Sequence, residues 1–165
     1  MKDYVKIPKR RLKVLRKHLK EIENITSCKI KIGKEIEIEC EDPFMLLRLK
    51  EVIKAIGRGF DVNTALNLLD EDYTMEIVNI KEFSGKSKSR MRELKGRVIG
   101  RHGDIKKTIE NKLDVKLSIY GKTVAIIGKW EDVELARKTV ESILAGSKFS
   151  VIREAAKQKM FSSFK

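Results

Sequence analysis

At 165 residues the chain suits one ordinary domain or two small ones, and 41% hydrophobic residues are enough for a packed core. A formal net charge of +13 favours a polyanionic partner, most often nucleic acid. A thermophile surface would also raise the charged fraction, here 37%, but it would balance its signs. No apolar run approaches the roughly 20 residues of a membrane span, and "MKDYVKIPKR" lacks the apolar segment of a secretory signal. A cytoplasmic protein is expected. The charge is also uneven. Residues 1–20 hold nine basic groups and one acid, 84–112 ten and three, and 147–165 five and one.

Tyr4 to Ile7 reads as a short strand ended by Pro8. Residues 10–26 read as one helix, since Leu12, Leu15, Leu19, Ile22 and Ile25 recur at helical spacing. "CKIKI" and "EIEIEC" alternate with period two around Gly33, the pattern of a hairpin. Asp42 and Pro43 open a long helix to Ile56 as N-cap and N1 residues, and Gly57 and Gly59 close it. "DVNTALNLLDED" (61–72) is expected to be a linker helix. A strand at 74–80 follows, then a basic loop, "FSGKSKSR" (83–90), and a helix at 91–99. Gly100-Arg101-His102-Gly103 separates that helix from another at 104–112. "VKLSIY" and "TVAIIG" form a second hairpin around Gly121. Trp130 to Leu144 is a helix closed by Gly146, with Trp130 expected as a core anchor. Residues 148–163 form a last helix, whose Phe149, Ile152, Met160 and Phe161 are expected to pack on the body. Cys28 and Cys40 lie twelve apart with no CxxC, and are expected to be reduced thiols, neither zinc ligands nor a disulfide.

The chain repeats itself. Ile22-Glu23-Asn24 recurs as Ile109-Glu110-Asn111, "CKIKI" matches "VKLSI" at the same offset, and "MLLRLKEVIKAI" matches "VELARKTVESIL" one residue further on. Upstream, "VL" (14–15) matches "VI" (98–99), which makes the first copy three residues shorter. The missing residues fall on the glycine loop, so only the second copy keeps it.

A GxxG alone often marks only a turn. Here it stands between two helices, before a hairpin, in a strongly basic segment. Glycines without Cβ atoms let a ligand lie against the main chain. The helix that starts near Asp104 turns its free N–H groups and positive dipole end toward phosphates. Arg97, Arg101 and His102 are candidate phosphate contacts, with Lys106 and Lys107 one turn on. Bases would enter a groove floored by Val98, Ile99, Ile105, Ile109, Leu117 and Ile119, and the main chain of 115–120 could read base edges. Low aromatic content, 6%, argues against a sheet of stacking aromatics. The GxxxxGK[ST] spacing of a P-loop is absent. No nucleophile–base pair, HExxH or carboxylate dyad stands out, and His18 and His102 are the two histidines. No enzyme activity, metal or cofactor is expected.

The order strand, helix, glycine loop, helix, strand, strand, helix resembles the type I KH domain, in which a GxxG loop clamps four backbone nucleotides. The expected fold is α+β: two tandem type I KH domains (β-α-α-β-β-α), the first without its GxxG loop, plus a C-terminal helix. Their boundaries are 1–59 for the first domain, 60–72 for the linker, 73–146 for the second domain and 147–165 for the basic tail. Through "KGRVIGRHGDIKKTIE" and "GRGFDVNTALNLLDEDYTMEIVNI" the whole chain resembles the archaeal Dim-two / Partner-of-Nob family. The resemblance implies binding of single-stranded RNA near the 3′ end of small-subunit rRNA during ribosome assembly. It also implies two protein partners: the endonuclease that trims that end and the alpha subunit of translation initiation factor two. Gly100, Arg101, His102 and Gly103 would be the clamp. Two other readings fit the same residues: a general KH protein on mRNA or the exosome, and a protein-interaction adaptor with vestigial RNA binding.

Overall fold

The alternating apolar runs become strands, and the strands pair in two separate three-stranded sheets. The computed structural model describes residues 1–163 and divides into two units, Met1–Tyr73 and a second from Thr74 onward. The first unit runs β1 (Lys2–Val5), α1 (Lys9–Lys17), α2 (Leu19–Thr26), β2 (Lys29–Ile32), β3 (Ile36–Glu39) and α3 (Pro43–Gly57). A short α4 (Val62–Leu66) and a 3₁₀ turn (Asn67–Leu69) follow. After β4 (Tyr73–Asn79) come α5 (Lys81–Ser84), α6 (Lys88–Ile99), a 3₁₀ turn (Arg101–Gly103) and α7 (Asp104–Leu113). Then β5 (Lys116–Tyr120), β6 (Thr123–Lys129) and α8 (Trp130–Leu144) complete the body, and α9 (Ser150–Ser163) is added. The sheet orders are β1-β3-β2 and β4-β6-β5, so β2 and β5 are edge strands. The fold is α+β. Among the described residues no helix is long and apolar enough to cross a membrane.

Helix ends follow local chemistry. Asp42 Oδ1 accepts from the Phe44 N–H (2.9 Å) ahead of Pro43, which needs no acceptor. Ser87 Oγ accepts from the Arg90 N–H (3.1 Å) and starts α6 three residues before the expected 91. The helix expected at 10–26 is two helices, broken at His18, whose N–H turns back to the Leu15 carbonyl (3.1 Å).

Two contacts recur in both units and explain the repeated sequence. Glu23 Oε2 accepts from the Ile30 N–H (3.0 Å) and Glu110 Oε2 from the Leu117 N–H (2.9 Å). Each glutamate ties its helix to the outer edge of β2 or β5, while Ile22 and Ile109 beside them are fully buried. Arg11 donates from Nε and Nη2 to the Ile56 and Phe60 carbonyls, both at 2.7 Å. Arg97 donates in the same way to the carbonyls of Ile143 (3.3 Å) and Ser147 (2.7 Å). Both arginines thus cap the last helix of the body. The interval from arginine to glutamate is 12 residues in the first unit and 13 in the second, so by contacts the first is one residue shorter, not three.

Three expectations need correction. Cys28 and Cys40 form a disulfide, with Cα atoms 4.6 Å apart. Lys29 pairs with Glu39, so the next position outward sets Cys28 opposite Cys40, at the spacing of a non-hydrogen-bonded cross-strand pair. Trp130 is 60% exposed and does not anchor the core. Of the tail's apolar residues, Ile152 packs into the core with Ala155, whereas Phe149, Met160 and Phe161 are exposed. Phe164 and Lys165 of the expected basic tail lie outside the described residues.

A disulfide closing a loop of this length stabilises by about 3 kcal/mol through the unfolded chain. Cys40→Ser is expected to lower the unfolding free energy of the first unit by about that amount. In urea titrations, reductant should move the wild-type midpoint to that of the variant and leave the variant unchanged. A wild-type midpoint indifferent to reductant would show that the bridge contributes nothing.

Candidate nucleic-acid interface

The chain leaves α6 at Ile99 and enters α7 at Asp104, with Gly100 to Gly103 between them. Three of these four residues take positive φ: Gly100 (φ 77°, ψ −179°), His102 (φ 55°, ψ 26°) and Gly103 (φ 76°, ψ 15°). The two glycines differ in what they permit. At Gly100 a Cβ would lie 2.7 Å from the Ile105 main-chain nitrogen and would collide with the Asp104 carboxylate and the Ile105 side chain. Its bareness makes room for the protein itself, in a backbone region open in practice to glycine alone. At Gly103 a Cβ would meet nothing within 4 Å. That side of the loop is open to a ligand.

Asp104 shapes the site in a way the sequence reading missed. Its Oδ1 accepts from the Ile105 N–H (2.8 Å), so one first-turn donor of α7 is already satisfied, and by a negative group. The carboxylate suits the helix dipole. It also lies against the loop where a phosphate would approach. Its position directly after the second glycine was the available signal.

The remaining expected residues separate into two groups. Arg101, His102 and Lys107 are exposed and Lys106 is half-buried, so their polar ends are available around the loop. Ile99, Ile105 and Ile119 are partly exposed. Val98 (0% exposed) and Leu117 (3%) are core residues with no surface to offer a ligand, and Ile109 is buried beside them. These three carry the floor but do not form it. Arg97 directs two donors to the end of α8 and stacks on Phe149, 5.1 Å from the ring centroid. Its role is to join α6 to the last helix of the body. On β5 the Leu117 N–H is held by Glu110. Strand alternation turns the Ile119 main chain to the same open edge, away from β6. Among the described residues no group of three His, Cys, Asp or Glu could hold a metal ion.

The glycines can be separated by experiment. Gly103→Ala should cost about 1–2 kcal/mol, the penalty of a left-handed residue. Gly100→Ala adds a steric collision to backbone strain of about 1–3 kcal/mol. It should therefore lower the thermal midpoint more than Gly103→Ala does. Equal shifts would refute the division of roles.

A family model of the second KH domain of PNO1, a eukaryotic-type KH domain (KH-domain type I), matches residues 74–160. A KH domain-containing protein of Methanocaldococcus jannaschii is 32% identical over 157 residues, covering 88% of this chain and 68% of that protein. The pre-rRNA-processing protein PNO1 of Saccharomyces cerevisiae is 32% identical over 110 residues, 64% of this chain. The match takes in about two fifths of the yeast protein's length (39%). Among solved structures, the a/eIF2alpha–aDim2p–rRNA complex from Pyrococcus horikoshii aligns with a TM-score of 0.87 and 34% identity, over 98% of this chain and 95% of that one. The glycine loop thus sits inside a KH-type fold, and the chain belongs to the Dim2/PNO1 family of KH-domain proteins.

Proposed function

We propose that the protein binds single-stranded RNA through the Gly100–Gly103 loop and works in small ribosomal subunit assembly, at the 3′ end of small-subunit rRNA. The observation that carries this reading is the loop itself: open at Gly103, set at the N-terminus of α7, and inside the segment matched to a type I KH domain. A phosphate would rest against Gly103 and the α7 N-terminus. Arg101 and His102 reach it from the tip, and Lys106 and Lys107 from the first turn. Bases would lie over Ile99, Ile105 and Ile119, with the free edge of β5 offering main-chain groups to their edges. This mode needs no aromatic platform.

The relatives support the biological setting by name, as a pre-rRNA-processing protein and as a Dim2p held with rRNA and a/eIF2alpha. We propose two protein partners: the alpha subunit of translation initiation factor two, in line with that complex, and the endonuclease that trims the rRNA 3′ end, which the family resemblance implies. The chain acts by binding rather than catalysis. We read residues 1–59 as a KH domain without its GxxG loop, 60–72 as a linker, 73–146 as the RNA-reading KH domain and 147–165 as a basic tail.

The test compares a short RNA matching the small-subunit rRNA 3′ end with a scrambled one. Wild type should prefer the former by at least about tenfold, or about 1.4 kcal/mol, and Arg101→Asp/His102→Asp should lose that preference. Binding should fall steeply with salt, by about 0.7 log units per log unit for each phosphate contact. Equal affinity for both RNAs would leave a general KH protein. A double variant that binds like wild type would remove the loop from the site.

Asp104 gives a finer test. Asparagine keeps the acceptor for the Ile105 N–H and removes the charge. With a terminal charge worth about 0.3–1 kcal/mol, Asp104→Asn should tighten RNA binding roughly two- to fivefold at low salt. Unchanged affinity would mean that no phosphate comes near this carboxylate.

A further inference from the structure

The C-terminal helix carries a second surface. Its inner face is fixed: Ile152 and Ala155 are buried in the core of the second unit. Lys159 Nζ donates to the Leu113 carbonyl (3.2 Å) at the end of α7 and pairs with Asp132 of α8 (3.4 Å). Beside these anchors α7 and α9 leave a groove of about 710 Å³. Ile152, Ala156 and Met160 give it an apolar floor that extends to Ile105, the one lining residue shared with the proposed RNA site, and Met160 is 62% exposed. Its rim is cationic, from Lys112 on α7 and from Arg153 and Lys157, one turn apart on α9. Among the described residues no Asp or Glu lines it.

We propose that this groove docks an acidic amphipathic helix of a partner protein. Apolar side chains spaced three or four residues apart would fill the floor, and carboxylates would meet Lys112, Arg153 and Lys157. The charges and shapes favour this occupant over others. A second copy would bring the same cations face to face, on a chain whose net charge is +13. No glycine and no strand residue among the described residues lines the groove, so it lacks the bare turn and the main-chain edge that would receive phosphates and bases of an unpaired strand at the Gly100–Gly103 loop. A membrane-lying helix presents its apolar residues on an outward face, whereas here they lie between two helices. Docking in this groove does not require the glycine loop to bind RNA.

The experiment uses the full chain and a fluorescent synthetic helix of about four turns, with leucines on one face and glutamates elsewhere. Controls are the same composition with the leucines scattered and a version with lysine in place of glutamate. Anisotropy should report binding of the first peptide only. Arg153→Gln/Lys157→Gln and Met160→Gln alter exposed positions, so thermal melts should stay near wild type while peptide affinity falls at least about tenfold. Arg101→Asp/His102→Asp should leave peptide affinity within about twofold while it removes RNA preference, which separates this site from the loop. Equal binding of either control peptide, no binding up to millimolar concentration, or unaltered affinity in the groove variants would overturn the proposal. So would groove variants that instead weaken binding to a single-stranded RNA, attachment to anionic vesicles or self-association in sedimentation.

Discussion

The bond from a helix glutamate to an edge-strand amide is the constraint on which each unit is built. Glu110 holds the Leu117 N–H as Glu23 holds the Ile30 N–H. A charged acceptor on a main-chain donor contributes about 1.5–3 kcal/mol, and its geometric effect is larger than its energy. It fixes the spacing and rotation of α7 against β5. The helix that begins at the glycine loop is therefore held in a set relation to the edge of β5. It also covers one amide of an exposed strand edge, where another chain could otherwise pair.

Arginine supplies the matching tie at the other end. Arg11 and Arg97 each gather carbonyls at the end of the last body helix, adding to the main-chain bonds that Ile56 and Ile143 accept from Gly59 and Gly146. In the second unit this fastens α6, which leads into the loop, to α8 and to Phe149. Basic residues in this chain thus do two kinds of work. Some, such as Arg97 and Lys159, are internal fastenings, and others, such as Arg101 and Lys107, remain at the surface.

What was legible in the sequence was periodic or repeated. The hairpins, the Asp42-Pro43 helix start and the glycine loop have local signatures. The "IEN" repeat marked the glutamate tie without revealing its partner. What failed depended on pairing across space. Cys28 and Cys40 look unrelated by spacing, yet the predicted hairpin register already sets them opposite each other. Val98 and Leu117 have the same apolar character as Ile99 and Ile119, and only packing separates floor from foundation. His18 breaks a helix without glycine or proline, so periodicity ran through it. Of the tail's four apolar candidates only Ile152 reaches the core, because hydrophobicity does not record which face of a helix finds a neighbour. The role of Asp104 is likewise invisible until Gly100 is seen to make room for its carboxylate.

The duplicated fastenings bear on how such a chain can change. Arginine and glutamate bracket the junction between the two helices in each unit, and these two ties are made in the same way in both. The bracketed stretch is a socket: thirteen steps long and fitted with a glycine turn in one copy, twelve steps long and reduced to a kink at His18 in the other. Its content can be lost, lengthened or exchanged while the surrounding sheet and last helix keep their bonds. A duplicated chain of this kind can therefore keep a glycine turn in one socket and leave the other as a blank on which a different specificity could be written.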